Sequence, residues 1–142
     1  MSQENVEIVR RGIEAVNRED LEALLDLCDP QIEWWDRADD PGAADVHRGH
    51  EGVAGFLTNL FEAIQWHIEI EDCIDARDFV VVAVRLVGRG RASGASFDER
   101  QANTYRVRDG RVTEIREYRE MSEALEAVGL SEQDAHWRTS PS

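Results

Sequence analysis

The chain has 142 residues and a formal net charge of -14, with 30 Asp and Glu residues against 16 Lys and Arg residues. This length suits one domain with a single core, and the acidic excess argues against nucleic acid and anionic membranes as partners, because both attract basic surfaces. The longest apolar run, residues 79–84, is too short to span a bilayer and the N-terminus shows no targeting signal, so we expect a cytoplasmic protein.

Two amphipathic helices are predicted at the start of the chain. Apolar residues recur at helical spacing over residues 4–17, and again from Leu21 to Cys28. Asp20 precedes the second stripe and is a residue type that caps helix N-termini. Pro30 is expected to end this helix, because proline lacks the amide hydrogen that a helix interior needs.

A short strand, a loop and a third helix are predicted next. The strand covers residues 32–36. Residues 37–49 are rich in Asp, Gly, Ala and Pro, which favours an irregular loop. Apolar residues at helical spacing then indicate a helix over residues 50–64, with Phe56 among those directed toward the core.

In the second half of the chain polar and apolar residues alternate with a period of two, which is typical of half-buried strands. The first predicted strand starts at residue 66 and ends at a turn over residues 76–78, and the second covers residues 79–91. The third starts at residue 97 and ends at a turn over residues 108–111, and the fourth runs from this turn to residue 118. A short helix that ends at Gly129 completes this half.

Helices segregated from a run of antiparallel strands make an α+β fold. We expect a curved, mainly antiparallel sheet that wraps against three helices of the N-terminal half, forming a cone open at one end, with a short C-terminal helix. Residues 1–130 are predicted as this single domain and residues 131–142 as a poorly ordered tail.

One face of the strand that begins at Phe97 carries polar residues where a core is expected. Gln101, Asn103 and Tyr105 share this face with Phe97 and Val107, because alternate side chains of a strand point the same way. Polar groups are costly to bury unless they are hydrogen-bonded. The pattern therefore predicts a pocket, filled by solvent or ligand, along this face.

Cysteine and histidine residues give weaker signals. Cys28 and Cys73 are far apart and form no CxxC pair, so we expect free buried thiols. His47 and His50, with Asp45 nearby, could begin a metal site, but no second cluster completes a ligand set. We therefore predict no metal and no other cofactor, and place His50 at the pocket rim.

Aromatic and acidic residues are expected near the open end of the cone. Since Trp34 and Trp35 are adjacent in a strand, one indole points inward, either as core filler or as the wall of a ligand site. Asp36 shares a face with Trp34 and either reaches this opening or stays at the loop edge. Glu117 faces either the surface or the pocket, where burial would raise its pKa toward values useful to a base.

Five segments carry a family likeness, namely AVNREDLEALL at 15–25, RGHEGV at 48–53, YRVRDGRV at 105–112, EIREY at 114–118 and ALEAVGL at 124–130. With this order and spacing, residues 4–130 resemble the nuclear-transport-factor-2-like superfamily, and within it the polyketide-cyclase-like (SnoaL-like) group that includes ketosteroid isomerases. The resemblance implies a hydrophobic cavity inside the cone, and a homodimer formed through the outer sheet face that carries Arg85 and Arg89.

The resemblance does not imply the steroid reaction itself. Steroid isomerases use a tyrosine and a protonated aspartate as an oxyanion hole, and a second carboxylate as proton shuttle. The likeness puts Gly12 at the tyrosine position, Trp34 at the shuttle position and Asn103 at the acid position, so two of the three groups are missing. Asn103 can still donate a hydrogen bond to a carbonyl or enolate oxygen.

A different carboxylate is expected to act as base, because Glu117 lies where cyclase-like and epoxide-hydrolase-like relatives carry a pocket aspartate. The resemblance implies a cofactor-free isomerisation, cyclisation, dehydration or hydrolysis of a small apolar organic molecule. The predicted catalytic residues are Glu117, Asp36 and Asn103. The predicted ligand-binding residues are Trp34, Gln101, Tyr105, His50 and Phe56. The alternatives are a binding or accessory protein with the same cavity and no turnover, and an interaction module with a filled cone.

Overall fold

The computed structural model of the chain describes residues 2–37, 45–130 and 138–139. Its helices are α1 (Ser2–Asn17), α2 (Leu21–Asp26), α3 (Gly49–Ala63) and α4 (Met121–Ala127). Its strands are β1 (Cys28–Trp35), β2 (Val46–Arg48), β3 (Ile64–Ala76), β4 (Phe79–Gly90), β5 (Ser96–Arg108), β6 (Arg111–Tyr118) and β7 (Arg138–Thr139). The predicted cap of α2 is confirmed, since the Asp20 side chain accepts a hydrogen bond from the backbone N–H of Ala23.

These strands form one sheet in the order β2-β1-β6-β5-β4-β3-β7. Neighbouring strands pair antiparallel, except that β1 and β6 are parallel. The parallel pair joins the first half of the chain to the antiparallel strands of the second half. The predicted α+β architecture with a mainly antiparallel sheet is confirmed.

The main core lies between the sheet and helices α1 and α3, against the face that we call the inner face. Val80, Val82 and Val84 of β4 are almost completely buried there, because alternate residues of a strand share a face. Val53 and Leu57 of α3 belong to the same buried cluster. Burial of one such side chain contributes about 1.5–3 kcal/mol, so this layer holds the central strands in place.

The opposite, outer face of the sheet packs against α4. The buried members of this second cluster are Ile74, Val81, Ala102, Ala124 and Leu125. Farther along the strands the outer face carries ion pairs, such as Arg85 with Asp98 at 2.6 Å. The predicted homodimer through this face stays a prediction.

One side-chain amide fastens the end of α1 to β3. Asn17 Nδ2 donates to the backbone carbonyl of Ile68 at 3.0 Å, and Asn17 Oδ1 accepts from the Ile68 N–H at 2.8 Å. The amide thereby satisfies both backbone groups of one strand residue, as a neighbouring strand would. This contact fixes the position of α1 over the inner face.

The predicted end of the second helix was wrong. α2 ends at Asp26, and β1 already begins at Cys28 and runs through Pro30. Proline is tolerated in this strand because the β1–β6 register shifts between Cys28 and Glu33, and β2 pairs only with Glu33 and the residues after it. The missing amide hydrogen of Pro30 therefore breaks no ladder hydrogen bond.

The predicted loop over residues 37–49 was wrong in part, because Val46–Arg48 forms β2 and pairs with the end of β1. Three residues are too few to show an alternation in sequence. Residues 38–44 lie outside the described residues, as does most of the predicted tail over 131–142. The described part of that tail, Arg138–Thr139, pairs with β3.

Both cysteines are free and buried, as predicted. Burial raises the pKa of Cys28 to about 12 and that of Cys73 to about 11. Both are therefore neutral thiols near physiological pH, and neither is a good nucleophile.

A small cavity lies between α1 and the sheet. Its volume is about 30 Å³, which suits a water molecule or two but no organic ligand. Gly12 of α1 and Tyr105 of β5 are among the residues that line it. A Cβ atom on Gly12 would meet Leu24 Cδ1 at 3.6 Å, an ordinary van der Waals contact.

We expect Gly12→Ala to raise the free energy of unfolding by about 1–2 kcal/mol. Removing a glycine from a helix interior contributes about 0.5–1 kcal/mol, and filling part of the cavity contributes the remainder. Urea denaturation followed by circular dichroism measures the change.

Gly55→Ala in α3 is the matched control. Gly55 is exposed, and no described atom lies within 4 Å of its Cβ position, so the variant gains only the helix-propensity part, about 0.5–1 kcal/mol. A Gly12→Ala protein less stable than the Gly55→Ala protein would show that the cavity does not accept a methyl group.

Candidate functional site

A β-bulge determines which side chains of β6 reach the inner face. The pairing of β5 with β6 shifts by one residue at Thr113. The extra residue lets Val112 and Ile115 both lie in the buried core. Glu117, two residues beyond Ile115, lies on the same inner face, directly opposite Asn103. The alternation in sequence left the direction of Glu117 open, and the bulge decides it.

The Glu117 carboxylate is held by groups at the end of β1. Trp34 Nε1 donates to Glu117 Oε2 at 2.7 Å, and the backbone N–H of Arg37 donates to Glu117 Oε1 at 3.2 Å. Trp34 reaches Glu117 because the parallel pairing places Trp34 opposite Ile115. Each carboxylate oxygen keeps a second lone pair that can accept a hydrogen bond or a proton from a ligand.

Burial raises the pKa of Glu117 above its ordinary value of 4.5. The hydrogen bond from Trp34 opposes this rise, the negative charge of Asp36 adds to it, and the backbone N–H and charge of Arg37 oppose it. The net direction is upward. An ionised carboxylate with a raised pKa is a stronger base than one on the surface.

A ladder of hydrogen bonds follows the inner face of β5. Gln101 Nε2 donates to Asn103 Oδ1 at 3.0 Å, and Asn103 Nδ2 donates to the Tyr105 hydroxyl oxygen at 3.4 Å. Burial raises the pKa of Tyr105 above its ordinary range, so its hydroxyl stays protonated. Asn103 and Tyr105 are both buried, whereas Gln101 is half-buried. The predicted polar stripe therefore exists, and its members bond to one another.

An aromatic wall joins α3 to β1 and β2. Phe56 stacks on the His47 ring with 4.1 Å between centroids and 15° between planes, and it meets Trp34 edge-on at 5.4 Å. His47 and Trp34 are direct partners in the β1–β2 pair and so share a face. His47 Nε2 also lies 3.0 Å from Asp36 Oδ2. We call Trp34, Asp36, His47, Phe56 and Glu117 the Glu117 site.

His50 does not join this group. Its Nε2 lies 3.0 Å from the backbone carbonyl of Cys28. Cys28 begins β1, whereas Trp34 lies near the end of the same strand. His50 therefore ties the start of α3 to the start of β1. The ligand-binding role predicted for His50 stays a prediction.

His47 and the backbone of Arg37 were absent from the predicted site residues. Both lie in the segment predicted as a loop, and Arg37 contributes a backbone N–H that carries no residue-type signal. The sequence presents His47 only as a candidate metal ligand. No local pattern could have found it, because Val46–Arg48, the segment that pairs with β1, is too short to show an alternation in sequence.

Among residues 2–37, 45–130 and 138–139, no three His, Cys, Asp or Glu side chains are grouped so that they could hold a metal ion. Within the same segments, no helix is long and apolar enough to cross a membrane. The polar groups that the inner face does gather include carboxylates, an imidazole, side-chain amides, the Tyr105 hydroxyl and the Trp34 indole N–H.

A sequence profile of the SnoaL-like domain matches residues 9–115. This match runs from α1 into β6. It includes Trp34, Asp36, His47 and Phe56 of the Glu117 site and ends two residues before Glu117. The chain belongs to the SnoaL-like domain family. No significant relative is found among functionally curated proteins.

Solved structures share this fold. An NTF2-like protein from Burkholderia xenovorans LB400 is 30% identical, with 85% of this chain and 92% of that chain covered and a TM-score of 0.71. A SnoaL-like polyketide cyclase candidate from Jannaschia sp. CCS1 is 21% identical, with 89% and 92% covered and a TM-score of 0.74. TerC, co-crystallized with polyporic acid, is 19% identical, with 88% and 98% covered and a TM-score of 0.72.

We expect Glu117→Gln to change how stability depends on pH. The folded protein keeps the Glu117 proton to higher pH than the unfolded chain, whose pKa is near the ordinary 4.5. Between the two pKa values the folded state binds more protons, so this group makes stability fall as pH rises through that window. The glutamine variant lacks this loss, so its stability relative to wild type should increase from acidic to neutral pH. Urea unfolding at a series of pH values measures the difference.

Glu114→Gln is the control for this experiment, because Glu114 lies on the same strand and bonds Arg116 at 3.0 Å instead of the Glu117 site. The control should keep the wild-type fall in stability over the Glu117 window. A Glu117→Gln protein whose difference from wild type is the same at acidic and neutral pH would contradict a raised pKa.

Proposed function

We propose that the protein binds a small, largely apolar organic molecule at the Glu117 site and removes a proton from it, with Glu117 as general base and no cofactor. The observation that carries the proposal is the part-buried Glu117 carboxylate, which accepts hydrogen bonds from Trp34 and Arg37 beside an aromatic wall. Positioned general bases accelerate proton transfer by about 10²–10⁴-fold.

We assign to Asn103 the stabilisation of the negative charge that forms on the ligand when the proton is removed. Its amide has two N–H donors, and one of them bonds Tyr105, so the second can bond a ligand oxygen. Direct partners across two strands have Cβ atoms about 4.5–5.5 Å apart, and Asn103 is the direct partner of Glu117. A carbonyl oxygen bound at Asn103 therefore places a neighbouring C–H near Glu117.

Proton removal beside a carbonyl is the first step of isomerisations and of cyclisations that form a carbon–carbon bond. In that step the C–H electron pair becomes a C=C bond and the carbonyl electron pair moves onto oxygen. Asn103 stabilises the resulting enolate with a neutral donor. TerC was co-crystallized with polyporic acid, which supports a small organic ligand for a protein of this fold.

Nitrobenzisoxazole tests the base without knowledge of the natural substrate. A base removes its ring C–H proton, the N–O bond breaks and a coloured cyanonitrophenolate forms. We expect the wild-type protein to accelerate this reaction and Glu117→Gln to lower the rate by at least about 100-fold. The wild-type rate should rise with pH through the raised pKa of Glu117, because only the ionised carboxylate accepts a proton. Product absorbance measures both.

Glu114→Gln serves again as the control and should leave the rate unchanged. A Glu117→Gln protein with the wild-type rate would contradict the assignment of the base. Saturable binding of the probe without acceleration would favour the alternative, a binding protein that uses the same site without turnover.

A further inference from the structure

We propose that Gln101 accepts a hydrogen bond from the ligand, so that the protein selects carbonyl compounds that carry a hydroxyl group at the end opposite the carbonyl. This inference rests on the proposed function, because it extends the ligand that Glu117 and Asn103 bind. The observation that carries it is the direction of the hydrogen bonds along the inner face of β5.

The amide of Gln101 is oriented by its neighbours in the ladder. Asn103 Nδ2 donates to the Tyr105 hydroxyl oxygen at 3.4 Å, which turns Asn103 Oδ1 toward Gln101. That oxygen accepts from Gln101 Nε2 at 3.0 Å. The nitrogen and the oxygen of a side-chain amide lie on opposite sides of one carbon, so Gln101 Oε1 points away from Asn103. Gln101 therefore presents an acceptor beside the donor that Asn103 presents.

The Gln101 oxygen is available to a ligand. Gln101 Oε1 accepts no hydrogen bond from residues 2–37, 45–130 or 138–139. The residue is half-buried, so water reaches this oxygen less freely than it reaches an exposed amide. A hydrogen bond that replaces restricted water in such a place distinguishes a ligand with a hydroxyl group from one without it.

The position of Gln101 determines where the ligand must carry its hydroxyl group. Asn103 is the direct partner of Glu117, and Gln101 is two residues before Asn103 on the same face. Two residues along a strand span about 7 Å. A ligand with its carbonyl at Asn103 that extends toward the start of β5 brings its other end to Gln101. Two fused six-membered rings with oxygen atoms at opposite ends have a suitable length.

Glu99 is the next residue on this face of β5. It pairs with Leu86, which belongs to the buried core. Its carboxylate offers only acceptors, and part of its charge is compensated by the Arg37 guanidinium at 3.8 Å. A neutral ligand end that donates hydrogen bonds suits Gln101 and Glu99 better than an anionic end does.

Two probes that differ in one group test this preference. Both are β-tetralones substituted on the aromatic ring at the position farthest from the ketone, one with a hydroxyl group and the other with a methoxy group, which cannot donate. We expect the wild-type protein to bind the hydroxyl probe at least about fivefold more tightly, because only this probe donates to Gln101 Oε1. Isothermal titration calorimetry at neutral pH, where the phenol is protonated, measures both dissociation constants.

Two variants of Gln101 should remove the preference. Gln101→Leu has no acceptor. Gln101→Lys has no acceptor either, but its ammonium group can still donate to Asn103 Oδ1 and preserve the ladder. Each variant should bind the two probes with equal affinity. A preference that persists in either folded variant would overturn the proposal, because the selection would then not come from the Gln101 oxygen.

Equal affinities in the wild-type protein would also overturn it. They would indicate a ladder that runs in the opposite direction and presents the Gln101 N–H, whose hydrogen bond both probes can accept. A wild-type protein that binds neither probe would contradict the assigned ligand class.

Gln65→Leu is the matched control. Gln65 is exposed, and its Oε1 lies 3.4 Å from Arg89 on the outer face, so this variant should keep the wild-type preference. Failure of the proposed function is seen separately, as a full rate of nitrobenzisoxazole elimination in Glu117→Gln. Failure of the Gln101 assignment leaves the large effect of Glu117→Gln on that elimination in place.

Discussion

The hydrogen bond between Trp34 and Glu117 connects the parts of the structure on which the site depends. It crosses the parallel pair of β1 and β6, where the first half of the chain meets the antiparallel strands of the second half. A carboxylate that is partly removed from water is unfavourable without donors, so the hydrogen bond from the indole stabilises Glu117 at this position. A slip of one residue in either strand would turn its side chains to the other face and separate the two groups.

The two carboxylates of the site have partners of different kinds. Glu117 accepts hydrogen bonds from a neutral indole and a neutral backbone amide. Neutral donors solvate an anion without cancelling its charge, so Glu117 stays basic. Asp36 instead lies against an imidazole and orients it. Environment, rather than residue type, thus gives the two carboxylates different chemical character.

Most of the fold could be predicted from the sequence, because local periods determine it. The helical stripe of α1 and the alternation through β3–β6 each repeat often enough to be recognised. The features that could not be predicted depend on how the strands pair. Pro30 fits in β1 only because the register shifts there, and the direction of Glu117 depends on an extra residue at Thr113. The place of His47 in the site could not be predicted, because its contacts are with Asp36 and Phe56, which belong to other segments.

The Asn17 amide has a consequence for association between molecules. Its two bonds to Ile68 occupy backbone groups at the rim of the sheet, and β7 pairs with β3 farther along the same strand. An uncovered strand edge is a template on which another chain can add, and this leads to aggregation. The Asn17 contact that holds α1 over the core thereby also blocks the addition of another strand at β3. This favours a protein that does not aggregate at high concentration.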